Sequence, residues 1–155
     1  MRARPVFVLL LLLAARASAA EIRGTCDFRF LASSTLHDFS GTGRCLPFSA
    51  ALQRTPEGNA VLPSVEVEIP VAGMETGIGA RDRTMRKMFQ ADRHPGIRGA
   101  ARGIDADALL ARMREDRDGK APLEITLAIR GVERRIAAVA SGLKDEGGRV
   151  SFDIE

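Results

Sequence analysis

Val65-Glu66-Val67-Glu68-Ile69-Pro70-Val71 alternates apolar with mostly acidic positions. A side-chain period of two puts Val65, Val67, Ile69 and Val71 on one face of a strand and Glu66 and Glu68 on the other, the pattern of a sheet with one wet side. The dry face needs a cover. Residues 73–79 (GMETGIG) give loop punctuation, and residues 81–92 (RDRTMRKMFQAD) follow with Met85, Met88 and Phe89 at i, i+3, i+4, the apolar stripe of a short helix. The stretch therefore pairs a half-apolar sheet with a small greasy helix.

Further along, His94-Pro95-Gly96 is expected to stop that helix, because a residue before proline avoids helical geometry. Residues 97–104 (IRGAARGI) read as a strand whose Gly99, Ala101 and Gly103 form a nearly bare face, and glycine in a strand marks close approach by a backbone or a ligand. Residues 105–116 (DADALLARMRED) give an amphipathic helix with Leu109, Leu110 and Met113 on one side and Asp105 as its N-cap. Residues 123–130 form a clean strand, residues 131–134 a turn, residues 135–143 the return, residues 145–148 another turn, and Val150, Phe152 and Ile154 alternate after it.

On the other side, residues 21–31 read as a first strand with Cys26, Phe28 and Phe30 facing one way, residues 33–41 as a polar bend, and residues 42–48 as the second strand. Pro47 marks an edge or bulge, and residues 54–59 a turn. Short alternating strands with helices only as insertions define one all-β domain whose antiparallel sheet curls into a barrel or sandwich.

Arg2 and Arg4 precede an apolar run at residues 6–15, and the small residues 17–20 supply a cleavage pattern, so residues 1–20 read as a secretory leader and residues 21–155 as the folded domain. The run is too short for a stable membrane span. The leader holds three of the 23 basic residues, so the remaining 20 are balanced by 20 acidic ones, and the case for a nucleic-acid partner disappears. A local basic cluster of Arg81, Arg83, Arg86, Lys87, Arg93 and Arg98 survives. Export makes the two cysteines, Cys26 and Cys45, a disulfide pair. Pairing them in antiparallel register sets Phe28 opposite Gly43 and Phe30 opposite Gly41, each ring over a residue without a side chain.

No reaction chemistry stands out. The two histidines have no zinc-ligand spacing, no cysteine cluster exists, and neither a G-x-S-x-G elbow nor a phosphate-binding glycine loop is present. Ser34, His37 and Asp38 sit too close in one bend to face one another as a hydrolytic triad. The expectation is no catalytic residue, no metal and no required cofactor.

Four motifs carry a resemblance. Residues 34–41 (STLHDFSG), residues 65–67 leading into Thr76-Gly77 and residues 81–86 (RDRTMR), residues 94–97 (HPGI) and residues 127–134 (LAIRGVER) are similar in order and spacing to the YceI-like family. That resemblance implies a periplasmic or secreted protein with an antiparallel lipocalin-like β-barrel that holds an isoprenoid chain, a polyprenyl lipid or quinone, in an apolar channel. It also implies further strand beyond the segment matching residues 150–155, which makes the barrel incomplete at that end. A solid core and a lipid channel share one periodicity, and the resemblance decides between them. Phe28, Phe30, Phe39, Val67, Ile69, Met85, Met88, Phe89, Ile97, Ile125, Leu127 and Ile129 are the candidate lining residues, Met and Phe suiting a flexible chain. His37, with Asp38 beside it, is the polar candidate at the mouth. Asp82 is expected to cap α-helical N–H groups and Arg81 to pair with a carboxylate. The partner is a hydrophobic ligand, with a homodimer admitted as assembly; the other reading is an interaction module without lipid, whose open edge takes a partner strand.

Overall fold

The computed structural model of the protein describes residues 20–33 and 37–155; the expected leader up to residue 19 and Ser34, Thr35 and Leu36 of the polar bend lie outside them. In order come β1 (Ala20–Gly24), β2 (Asp27–Ser33), β3 (Asp38–Arg44), β4 (Phe48–Arg54), β5 (Ala60–Pro70), a 3-10 turn (Val71–Gly73), α1 (Gly79–Met88), β6 (Gly96–Asp105), α2 (Ala106–Glu115), β7 (Ala121–Ile129), β8 (Val132–Glu146) and β9 (Arg149–Ile154). Seven strands make one antiparallel sheet in the order β1-β4-β5-β6-β7-β8-β9, and β2 pairs with β3 in a separate hairpin. The sheet curls into a half barrel with β1 and β9 as edges, so the all-β expectation with two short helical insertions holds.

Residues 21–31 are two strands, not one. β1 pairs with β4, Gly24 lying opposite Phe48, while β2 pairs with β3. The Phe48 ring occupies the space where a Cβ on Gly24 would sit. Two residues later Cys26 is bonded to Cys45, whose N–H donates to the Cys26 carbonyl at 2.9 Å. The break between Gly24 and Cys26 lets the chain serve both partners. The second strand expected at residues 42–48 is likewise the end of β3 and the start of β4.

The hairpin register agrees with the sequence: Phe28 lies opposite Gly43 and Phe30 opposite Gly41. Phe30 covers Gly41, which is buried. Gly43 is covered instead by Met74 and Ile69, and the Phe28 ring stacks on Phe30 with centroids 5.9 Å apart. A backbone bridge between Thr42 and Glu75 (2.8 and 2.9 Å) fastens the hairpin to the segment before α1.

Turn chemistry shortens what the sequence suggested. Arg130 and Gly131 both have positive φ, 53° and 76°, so a two-residue turn joins β7 to β8 and Val132 already pairs with Ile129. Gly147 and Gly148 do the same between β8 and β9. α1 ends before His94-Pro95. Gln90 takes φ 52°, its N–H donates to the Lys87 carbonyl and that of Ala91 to the Arg86 carbonyl, a Schellman closure. α2 is capped as expected, Asp105 accepting from the Ala108 N–H at 2.8 Å.

Two apolar clusters hold the ends. Cys45, Ile69, Val71, Met74, Met85 and Ile97 are buried together, joined by Phe28, Phe30, Phe48, Val67, Phe89, Leu127 and Ile129. At the other end Met113 and Leu109 of α2 pack on Ala121 and Ala140.

Candidate functional site

Directly opposed residues in antiparallel strands share a face. The face of Val65, Val67 and Ile69 therefore continues through Ala101, Gly99 and Ile97 of β6 to Leu127 of β7. From β7 it passes by Ile129, Ile125, Leu123 and Ala121 to Val132, Ile136, Ala138 and Ala140 of β8, and by Ile154 to β9. We call this the inner face. The hairpin and α1 plug it near Ile129, and α2 plugs it at Ala121 and Ala140. Eight residue steps along β7 separate those levels, about 27 Å of strand.

Between the plugs the floor is aliphatic and uncovered. A Cβ on Gly103 would meet nothing within 4 Å, and one on Gly99 would meet only the neighbouring Val67 at 3.1 Å. Along β8 and β9, Val132, Ile136, Phe152 and Ile154 are 57%, 39%, 41% and 48% exposed. Arg134, opposite Leu127, is the one charge in this stretch of β8 on that face. Among the described residues the hollow is a trough open on one side, the incomplete barrel that the resemblance led one to expect.

Nine of the twelve apolar candidates converge near one plug: Phe28, Phe30, Val67, Ile69, Met85, Phe89, Ile97, Leu127 and Ile129. Ile69, Met85 and Ile97 are buried at 6%, 6% and 3% exposure, which makes them packing partners more than open lining. Ile125 lies on the trough floor, half-buried. Met88 points outward at 67% exposure, because the buried arc of α1 runs through Asp82, Met85 and Phe89. Phe39 stands outside the cluster, under the Arg81 guanidinium, whose carbon is 4.4 Å from the ring centroid. Val71, read on the dry face with Ile69 but left out of the lining set, and Met74, which sequence reading missed, are each 1% exposed. Met74 sits in irregular chain, where no period betrays it.

His37 is exposed and lies 3.3 Å from an Arg81 guanidinium nitrogen through Nε2. A guanidinium only donates, so a hydrogen bond in this contact runs from Arg81 to the His37 ring. Arg81 thus clasps the hairpin to α1 through His37 and Phe39 instead of pairing with a carboxylate. Asp38 is exposed, and Ser34 lies outside the described residues. Asp82 does not cap α1. Its carboxylate accepts from the Thr76 hydroxyl at 2.6 Å and the Thr76 N–H at 2.9 Å, fixing the entry to the helix. The hydroxyl bond holds the Asp82 carboxyl below its ordinary value against burial, aided by the Thr76 N–H and the Arg86 and Arg81 guanidiniums.

The opposite face is polar. A cleft of about 650 Å³ runs over Glu66, Glu68, Arg98, Arg102, Thr126 and Ala128, with His94 at its rim. Arg98 bonds Glu68 at 3.3 Å and Arg102 faces Glu66 at 3.6 Å, so four of its charges offset one another in pairs, while Arg93 and Glu133 also line it. A smaller hollow opens at the hairpin tip beside Leu31 and Phe39. Among the described residues no three His, Cys, Asp or Glu side chains gather as metal ligands, and no helix is long and apolar enough to cross a membrane.

Two solved structures are similar to this chain. One is the Campylobacter jejuni YceI protein, in crystals with large solvent channels; the other is a mutant CJ YceI protein with a monobromobimane guest. Each is 21% identical, with 81% of this chain and 67% of the other covered at a TM-score of 0.48. No curated protein matches. The model of the YceI-like domain matches residues 20–155, nearly everything the structure describes, and the chain belongs to that family.

Proposed function

We propose that this chain is an exported binding protein that holds a long-chain isoprenoid, a polyprenyl lipid or isoprenoid quinone, or a similar amphiphile, along the inner trough. The observation that carries the reading is the uncovered small-residue stripe Gly99, Ala101 and Gly103, flanked by Val65, Val67, Ile125 and Leu127. A guest that buries about 300 Å² of apolar surface there gains on the order of 7 kcal/mol before the costs of association. Phe28, Phe30 and Met85 close one end, Arg81 and His37 stand beside it, and no bond is made or broken. Export is supported by the Cys26–Cys45 disulfide, which persists in an oxidising compartment.

Native mass spectrometry of the purified protein tests this. A co-purifying polyprenyl species is the expected result, and the same spectrum reports whether the chain is a homodimer. A reproducibly empty protein instead supports an interaction module, for which the exposed Val150, Phe152 and Ile154 of edge strand β9 are the specific observation.

A further inference from the structure

The outward side of α1 carries charges that form no ion pair among the described residues. Arg83 and Lys87, one helical turn apart, are exposed, as is Arg93 beyond the helix, and none forms an ion pair among the described residues. Residues 75–93 hold five basic side chains against Glu75, Asp82 and Asp92, and Asp82 is turned inward onto Thr76. The excess of two positive charges sits on a chain that is otherwise acidic, since residues 20–155 balance overall. Apolar groups flank this patch at high exposure: Met88 at 67% and Ile78 at 50%, while Leu31, 84% exposed and opposite Ser40, is on the hairpin's far face. The Arg81 clasp to His37 and Phe39 brings the hairpin tip beside α1.

Unpaired cations interspersed with protruding apolar side chains match an anionic bilayer surface, where ammonium and guanidinium groups meet headgroup phosphates and Met and Ile enter the acyl boundary. We infer that α1 and the adjoining hairpin tip form a reversible docking patch for an anionic lipid surface. It stands at the plugged end of the trough.

The test is flotation with vesicles of two parts phosphatidylcholine to one part phosphatidylglycerol, against pure phosphatidylcholine. The protein floats with the anionic vesicles at low salt and is released by high salt. Each Lys or Arg near such a surface contributes about fivefold in partitioning, so R83Q/K87Q lowers it roughly twenty-fold. The control R117Q/K120Q, on the exposed loop after α2, leaves it unchanged. No flotation with anionic vesicles, equal flotation with both kinds, or an equal loss in the control overturns the inference. Co-purified lipid is measured alongside: wild-type protein that retains lipid but does not float defeats docking and leaves the trough reading intact, whereas R83Q/K87Q is expected to retain lipid while losing flotation.

Discussion

Replacing Ala101 by phenylalanine sets a ring over the middle of the trough. Ala101 is half-buried opposite Val65, and the flanking Gly99 and Gly103 offer no side chain to collide with. Strands lie about 4.8 Å apart, so a ring there covers floor belonging to two strands and displaces on the order of 100 Å² of guest contact. At about 25 cal/mol per Å² that is ~2.5 kcal/mol, about a seventy-fold loss of affinity. The empty protein should tolerate the ring, its unfolding free energy changing by less than about 1 kcal/mol. Ile69→Ala serves as the contrast. It removes a side chain 6% exposed in the packed cluster and should cost roughly 2–5 kcal/mol. Denaturant unfolding of the delipidated proteins and lipid occupancy after purification read the two effects separately. The reasoning is refuted if A101F unfolds as readily as I69A, which is the signature of overpacking a filled core, or if lipid occupancy is unchanged.

Further outcomes follow from the plugged end. Gly41→Ala drives a methyl into the Phe30 ring and to 2.8 Å from the Glu75 carbonyl oxygen, so equilibrium unfolding should show a loss of about 1–3 kcal/mol. The C26S/C45S protein loses a cross-link of sequence separation 19, roughly 3 kcal/mol on chain-entropy grounds, and a reductant should lower the wild-type midpoint without moving that of the variant. Asp82 has its carboxyl lowered in the folded state, so its contribution is present above the unfolded value and fades as pH falls through the folded one. Asp82→Asn should accordingly destabilise near neutral pH and flatten the stability curve below about pH 4, measured by thermal melts across pH. An unaltered acid limb would contradict that assignment.

Much of the scaffold could be read from residue spacing. The cysteine pair together with Phe28, Phe30, Gly41 and Gly43 set the hairpin register, and Asp105 set the start of α2. The bare stripe of β6 pointed to the floor of the trough. What escaped depended on partners distant in sequence. β1 and β4 are adjacent only because β2 and β3 leave the sheet as a hairpin, and the alanines of β4 give little alternation to reveal it. Met88 looked inward because it lies three residues from Met85, but Asp82 and Phe89 lie on the other flank of Met85 and centre the buried arc away from Met88. Core and lining have the same period. Only the landing places of the hairpin and α2 separate interlocked Ile69 from open-floored Ala101.

Photo-crosslinking with a diazirine-bearing prenyl probe, followed by peptide mapping, locates a guest most directly. A guest in the trough labels Val65, Ala101, Ile125 and Ile136, whose side chains share the inner face. Labelling confined to the polar cleft of Glu66, Arg98 and Thr126, or none that an excess of unlabelled prenyl lipid can displace, would contradict it.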